Sequence, residues 1–431
     1  MTSPGTVDAL GTAGVAGPER LAGPQPVAGP RPGDLGRGDL AGTVFVAASV
    51  VLASGPAGVP IRISIAALCA VGLVVLLRRG LRAEDVRMPG WPLLFLGWCA
   101  TSLFWSDHPD QTLVGVGTLV AGTLLAIVSV STFGARAVVR GIVAGATTAA
   151  VLSLALVPVE AAQAFDADKS GALRGIYEQS NIGAHVLALG LVSAVCGGRV
   201  TGWSRAARVL PVVVLAGALV AAQSSTALVC VAAGIAVAAV VAAVRSFPRG
   251  RRAAPATAFA GCVVLLLVLV LAGFGRFAGA LGRDTSLTGR TEIWSASWAQ
   301  VTTAPWLGHG WAAVWAGGDR VGDTIRQMVG YPIDHSHDDA LNVALQAGAV
   351  GVLLVACTLG QIAITATRRF LTGRGPLGVW PVALVTTVCC YAVTESRLTE
   401  PLGWFVVVLL VLLVGGAPAG GPRRLPARAG P

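Results

Sequence analysis

The chain has 431 residues, of which 54% are hydrophobic and only 12% are charged, and its net charge is +10. A mean hydropathy of +0.74 excludes an ordinary soluble domain. Only helices and closed barrels satisfy every backbone polar group in lipid, and the long, unbroken apolar runs are not the alternating pattern of a barrel. The sequence therefore predicts an all-α polytopic membrane protein. The orientation of the membrane spans accounts for the excess of basic residues, so no nucleic-acid partner is expected.

A Gly-, Pro- and Ala-rich tail precedes the apolar part of the chain and is predicted to be disordered. The weakest apolar run is the first, which ends in VLASG, a sequence similar to a signal-peptidase site. Retention of this run is expected, because a long polar leader precedes it. Twelve apolar runs predict about 12 transmembrane helices, approximately at 41–55, 60–77, 89–105, 112–134, 138–159, 182–198, 207–223, 226–244, 255–275, 339–367, 376–395 and 401–416.

The basic residues set the orientation of these spans. With a cytoplasmic N-terminus, 22 of the 31 Lys and Arg residues fall in cytoplasmic segments, as the positive-inside rule requires. The reverse orientation would place the most basic loops outside. The predicted parts are a cytoplasmic tail at 1–40, spans 1–9 at 41–275, one large external loop at 276–338, spans 10–12 at 339–416 and a basic cytoplasmic tail at 417–431.

The large external loop is rich in tryptophan. Ile293, Trp294, Trp298 and Val301 recur at helical spacing, which predicts a short amphipathic helix at 289–302 lying in the membrane interface. The tryptophans themselves are interpreted as interfacial anchors without a chemical role.

The end of this loop reads DHSHDD and begins the tenth span. Asp338 and Asp339 stand where carboxylates favour a helix N-terminus, so one interpretation is a simple helix cap. A second is a metal site made of His335, His337 and Asp339. A third makes one histidine a general base at the membrane surface, because an imidazole titrates near neutral pH. In the predicted topology all five histidines lie at or near the external face.

Several motifs together resemble the O-antigen ligase and polymerase superfamily of bacterial membrane glycosyltransferases. They are GALRGIYEQSN, SLTGRTEIW, LGHGW and HSHDDALNVALQAGAVG. The family pattern of a histidine, a polar residue, nine variable residues and two glycines matches His337, Asp338, Gly348 and Gly351. Two features depart from the family: Asp338 stands where Asn, Ser or Gln is common, and the short turn QSST carries no arginine.

The resemblance implies a type C glycosyltransferase-like fold and the transfer of a glycan from a polyprenyl-diphosphate carrier to a glycan or lipid-linked acceptor. This transfer would occur at the external face of the cytoplasmic membrane, with no metal and no cofactor. His337 matches the position of the general base, and Arg290 and Arg174 match positions that bind the donor diphosphate. His335, Asp338 and Asp339 would support the base. Gly348 and Gly351 would let a neighbouring helix approach closely.

Two other functions stay open. Motifs that ligases and polymerases share do not separate these two activities. A secondary transporter or a lipid-linked glycan exporter is the alternative from another class, since twelve spans are typical of transporters. Transporters usually place ionisable residues near the middle of the membrane or show two similar halves. Neither feature is evident, and His185 is the ionisable residue nearest to such a position.

Overall fold

The computed structural model describes residues 37–79, 90–166, 171–252 and 289–415. Within these ranges all regular structure is helical, apart from one isolated bridge between Phe165 and Leu173. The predicted ninth span, the first part of the large loop and the basic C-terminal tail lie outside the described residues. So does most of the N-terminal tail, although the first helix begins at Arg37, slightly earlier than predicted.

The described residues contain fifteen α-helices. They are α1 (Arg37–Ala53), α2 (Ile61–Arg79), α3 (Gly90–Thr101), α4 (Pro109–Val128), α5 (Gly134–Leu156), α6 (Ala161–Ala164), α7 (Ser180–Cys196), α8 (Gly198–Thr201), α9 (Arg205–Ala221), α10 (Ser225–Ser246), α11 (Arg290–Val301), α12 (Arg320–Val329), α13 (Asp339–Thr372), α14 (Trp380–Thr394) and α15 (Pro401–Gly415). Short 3₁₀ or π turns follow α3, α4 and α10.

The apolar helices agree with an α-helical membrane protein. Three helical stretches are long and apolar enough to cross a membrane, namely Pro109–Leu156, Ser225–Ser246 and Asp339–Thr372, and six shorter apolar helices accompany them in the described residues. Each predicted apolar run that falls in these residues contains a helix. The all-helical class is confirmed for this part of the chain, whereas the number of twelve spans stays a prediction.

Helix α15 lies at the centre of the bundle. It is apolar on every side and buried along most of its length, and it packs against α4, α13 and α14. Trp404 Nε1 donates a hydrogen bond to Thr123 Oγ1 of α4 (3.0 Å), so the indole N–H is satisfied inside the core. Phe95 of α3 packs against Trp404 with 5.4 Å between ring centroids. A helix that is apolar all round is expected to be buried in this way.

The two ends of the bundle carry different side chains. At one end, Arg140 Nε of α5 donates to Thr201 O of α8 (2.8 Å), and other arginines stand at helix termini: Arg136, Arg199, Arg205, Arg245 and Arg369. At the other end, Ser54 Oγ after α1 and Tyr177 Oη before α7 are hydrogen bonded at 3.1 Å. The DHSHDD segment lies at this second end. Which of the two ends faces the cytoplasm stays a prediction from the positive-inside rule.

Helix α13 is interrupted at Gly348, where φ is 65° and ψ is −171°. A Cβ here would collide with the backbone of Trp306, because the loop after α11 crosses α13 at this point. Ala349 N donates to Pro305 O (2.8 Å) and holds the crossing in place. The prediction that Gly348 packs against a neighbouring helix is therefore wrong, because Gly348 packs against the backbone of a loop. A Cβ on Gly351 would lie closest to Ala347 and Val343 of α13 itself, at 2.5 and 3.3 Å, and would meet Phe95 of α3 only at 3.7 Å.

The large loop contains short helices, as predicted. The expected helix at 289–302 is α11, with Ile293 and Val301 buried and Trp298 60% exposed. Helices α11 and α12 share a small core with the first turns of α13, formed by Ala296, Val301, Val314, Val321, Ile325 and Leu345. This core fixes α11, and hence Arg290 at its first position, relative to the start of α13.

Candidate active site

The two aspartates of the DHSHDD segment anchor the N-terminus of α13. Asp338 is the N-cap, and its carboxylate accepts a hydrogen bond from Leu341 N (2.7 Å). Asp339 is only 2% exposed, and its Oδ2 accepts from the backbone N–H groups of Arg397 (3.1 Å) and Leu398 (2.9 Å). Both carboxylates thus bind backbone N–H groups rather than an imidazole. The carboxylate of Asp339 holds the loop between α14 and α15 against the start of α13, whereas that of Asp338 caps α13 itself.

His337 adopts a backbone conformation that is rare for a residue with a side chain. Its φ is 52°, in the left-handed region. The flanking residues fix this geometry, since Ser336 Oγ donates to Asp338 O (3.0 Å) and Asp338 N donates to Ser396 Oγ (3.1 Å). Such a conformation costs about 1–3 kcal/mol and persists only where the surroundings determine it. The imidazole, 25% exposed, is held beside the loop between α14 and α15.

The imidazole of His337 meets a buried carboxylate. Glu395 directly follows α14, and its Oε2 lies 3.3 Å from His337 Nδ1. Its other oxygen, Oε1, accepts hydrogen bonds from Arg290 Nη2 (2.6 Å) and Asn181 Nδ2 (3.2 Å). Only 2% of the Glu395 side chain is exposed. Residues from α7, α11, the start of α13 and the end of α14 therefore converge on one carboxylate.

Glu395 is ionised at neutral pH. Burial alone would raise its pKa, but the hydrogen bond with His337 and the charges of Arg290 and Arg397 lower the pKa from 4.5 to about 2. Because the pKa of Glu395 is lower in the folded protein than its ordinary value, the ionised carboxylate contributes its full stabilisation of the fold above about pH 4.5. This contribution is lost as pH falls toward 2. The buried pair with Arg290 therefore persists across the neutral range.

A second histidine extends this network. His335 Nε2 lies 3.1 Å from His337 Nδ1, and His335 Nδ1 contacts Asp334 Oδ1 at 2.5 Å. The hydrogen bond with His335 lowers the pKa of Asp334 to about 2. Both contacts of the His337 ring use Nδ1, and among the described residues its Nε2 has no hydrogen-bond partner. When Glu395 accepts Nδ1–H, Nε2 carries the free lone pair and can accept a proton.

Arg290 is placed by the start of α11. Gly289 precedes it with φ of 84°, and a Cβ there would collide with the Tyr331 hydroxyl. That hydroxyl donates to Gly289 O (3.3 Å). The Arg290 side chain is 15% exposed and uses Nη2 for Glu395. Among the described residues its other N–H groups have no hydrogen-bond partner.

Arg174 is not brought into the His337 cluster. It lies between α6 and α7, where its Nε donates to Gln163 O (3.0 Å). Within the described residues Arg174 forms no ion pair. Two further histidines that the predicted topology places at the external face have separate contacts. His108 Nε2 lies 3.7 Å from Asp319 Oδ2, and His309 Nε2 lies 3.1 Å from Gln300 O.

The geometry also bears on the metal interpretation. Ligand atoms of His335, His337 and Glu395 all lie within 4.8 Å of one another, close enough to hold an ion. The sequence-based set had Asp339 as its third member, but that carboxylate is engaged by two backbone N–H groups. Glu395 already pairs with Arg290 at 2.6 Å, and a guanidinium repels a divalent cation. The charge of Arg290 opposes such an ion, and metal independence stays a prediction from the sequence.

Glu395 is the site residue that the sequence reasoning did not identify. It is the final residue of the apolar run at 376–395, and an acid at such a position is costly unless it has a partner or a function. That signal could have singled out Glu395. Its partners could not have been found in the same way, because His337 and Arg290 are 58 and 105 residues away in the chain.

The chain is similar to a known family over the segment that carries most of this site. Residues 210–356 match the family model described as O-antigen ligase. This segment includes Arg290, His337 and Gly348, so the resemblance to the O-antigen ligase and polymerase superfamily is confirmed. Together with the apolar helices, the match indicates a membrane protein.

A particular relative is the exopolysaccharide production protein ExoQ of Rhizobium meliloti (strain 1021). It is 24% identical to this chain over 296 residues, which are 65% of this chain and 66% of the relative. The match therefore spans just under two thirds of the length of that protein.

Proposed function

We propose that this chain is a membrane glycosyltransferase. It moves a glycan from a polyprenyl-diphosphate carrier to an acceptor hydroxyl during the assembly of a cell-surface polysaccharide. The observation that carries the proposal is the contact between His337 and the buried ion pair of Glu395 and Arg290. The similarity to the O-antigen ligase family and to an exopolysaccharide production protein supports the class of reaction.

The cluster contains the groups that such a transfer needs. The acceptor oxygen attacks the anomeric carbon while the bond from that carbon to the diphosphate oxygen breaks. His337 Nε2 takes the proton of the acceptor hydroxyl, and Glu395 orients the ring and stabilises the imidazolium that forms. Arg290, partly open to solvent, stabilises the negative charge of the departing diphosphate. The reaction exchanges one C–O bond for another and needs no redox group.

The position of the cluster suits substrates of different polarity. It lies at the end of the bundle away from the arginine-rich helix termini, which is the external end in the predicted topology. A lipid-linked donor reaches this level from the membrane, and a glycan or lipid-linked acceptor reaches it from the aqueous side or from the lipid. Arg174 stays a candidate second cation for the donor diphosphate, since its guanidinium pairs with no carboxylate in the described residues.

The purified protein, reconstituted in vesicles with a polyprenyl-diphosphate-linked glycan and an acceptor glycan, is expected to join the two glycans. Free polyprenyl diphosphate should appear in equal amount, because each transfer breaks one donor bond. Chelator treatment should leave the rate unchanged, and elemental analysis should find less than one metal ion per protein. Movement of the intact lipid-linked glycan across the vesicle without bond cleavage would instead identify an exporter.

The predicted topology has twelve spans with both termini in the cytoplasm. Reporter fusions after Arg252 and after Arg424 are expected to read cytoplasmic, whereas a fusion near Arg320 should read external. Arg252 and Arg320 belong to the described residues, on opposite sides of the predicted ninth span. A cytoplasmic signal near Arg320 would place His337 on the wrong side for an external transfer and would overturn the assignment of the site.

A further inference from the structure

The cluster at the start of α13 brings two imidazoles and a carboxylate together through atoms that can bind a metal ion. His335 Nε2 lies 3.1 Å from His337 Nδ1, and His337 Nδ1 lies 3.3 Å from Glu395 Oε2. The ligand atoms of the three residues all lie within 4.8 Å of one another. In a tetrahedral zinc site, bonds of about 2.0–2.2 Å place two ligand atoms about 3.3–3.6 Å apart. Two of the three separations are therefore already close to those of zinc ligands.

A second carboxylate orients His335 for such a role. Asp334 Oδ1 contacts His335 Nδ1 at 2.5 Å, and an imidazole that donates Nδ1–H to a carboxylate presents the lone pair of Nε2. Histidines that bind metal ions are usually oriented by such a contact. The side chain of Asp334 is 84% exposed and that of His337 is 25% exposed, so an ion can reach the cluster from solvent.

The surrounding charges make the binding of such an ion reversible. Arg290 pairs with Glu395 Oε1 at 2.6 Å, which leaves Oε2 for the ion, and the charge of Arg397 also acts on Glu395. Both guanidiniums oppose a divalent cation. The carboxylates of Glu395 and Asp334, whose pKa values are about 2, offset these two charges. We therefore expect an ion that binds from solution and leaves again, unlike a resident cofactor.

We propose that His335, His337 and Glu395 form an inhibitory site for Zn²⁺. The ion binds His335 Nε2, His337 Nδ1 and Glu395 Oε2, with water as the fourth ligand. Coordination at Nδ1 of His337 displaces the proton there, and the neutral ring takes up one proton at Nε2 instead, so its charge is unchanged. Nε2 then has no lone pair with which to accept the proton of an acceptor hydroxyl. The inhibition, though not the binding, rests on the proposed function.

The test combines calorimetric zinc binding to the purified full-length protein in detergent with the rate of glycan transfer in vesicles. One Zn²⁺ should bind per chain and abolish transfer, and a chelator should restore the rate. His335→Ala should weaken zinc binding about a hundredfold or more and make the remaining transfer resistant to zinc, because one of three protein ligands is lost. Asp334→Asn should weaken binding about tenfold to a hundredfold, the usual loss for a residue that orients a ligand.

His108→Ala is the matched control. Its imidazole faces a single carboxylate, that of Asp319, at 3.7 Å, so its removal should leave the zinc affinity unchanged. Mg²⁺ at the same concentration should neither bind nor inhibit, since it prefers oxygen ligands, whereas imidazoles suit zinc.

Three results would overturn the inference: equal inhibition by Mg²⁺, zinc binding that His335→Ala leaves unchanged, and full transfer at saturating zinc. Zinc binding through His335 in a protein that transfers no glycan would contradict the proposed function alone. Normal transfer without zinc binding that depends on His335 would contradict this inference alone.

Discussion

His337→Ala is expected to insert and fold like the unchanged protein yet to transfer glycan about a hundredfold to ten-thousandfold more slowly, the usual loss for a positioned general base. The expectation follows from Nε2 of His337, which has no partner among the described residues, and from the Nδ1 contact with Glu395 at 3.3 Å. The rate of transfer in reconstituted vesicles measures the effect. The substitution should not relieve the backbone strain at φ of 52°, because alanine has a Cβ as well.

His335→Ala is the matched control for this prediction. His335 contacts the same Nδ1 atom at 3.1 Å, but its own Nδ1 is occupied by Asp334, so its removal should lower the rate only mildly. If the two variants exchanged phenotypes, His335 would be the base. Full activity in both variants would show that the DHSHDD segment serves only as a helix cap, made by Asp338.

Glu395→Gln and Arg290→Lys are expected to cause the next largest losses. Glutamine keeps the shape of Glu395 but removes the charge that holds Arg290 and orients His337, and removing one partner of a buried pair typically costs about 3–5 kcal/mol. Lysine in place of Arg290 offers one point charge where the planar fork binds Glu395 and is proposed to bind a diphosphate as well. Most of the transfer activity should be lost in both variants.

The matched control is Glu292→Gln, which removes an exposed acid from the same helix as Arg290. It should leave both the rate of transfer and the stability nearly unchanged.

The pH dependence of the stability gives a second check. The stability gap between the unchanged protein and Glu395→Gln should be constant above about pH 4.5 and should close as pH falls toward 2, the pKa of Glu395. Equal activity of Arg290→Ala and the unchanged protein would contradict the diphosphate role.

Local sequence signals predicted the parts of the site that depend on neighbouring residues. Asp338 before an apolar run indicated the start of α13, and the spacing of Ile293 and Val301 indicated α11, because caps and helical faces are set within a few residues. The motif resemblance added His337 and Arg290. The carboxylate that joins them was not predicted, since Glu395 meets them only through the packing of α14 against α7 and α13.

Gly348 and Gly351 also show that local sequence patterns do not specify contacts between distant segments of the chain. Two small residues one turn apart on a helix favour close helix packing. At Gly351, however, the tightest space is against Ala347 and Val343 of the same helix. Gly348 instead adopts φ of 65° because the backbone at Trp306 crosses the helix there, 42 residues earlier in the sequence. No local pattern specifies such a crossing.

The most direct test of the central claim, that His337 and Glu395 act as one catalytic unit, is a double-mutant cycle on the rate of transfer. The rates of His337→Ala, Glu395→Gln and the double variant are measured in the same vesicles, with folding checked by thermal unfolding. Residues that act as a unit are strongly non-additive. The double variant is therefore expected to be no slower than His337→Ala alone. Losses that multiply in the double variant would show that Glu395 acts independently of His337 and would contradict the account.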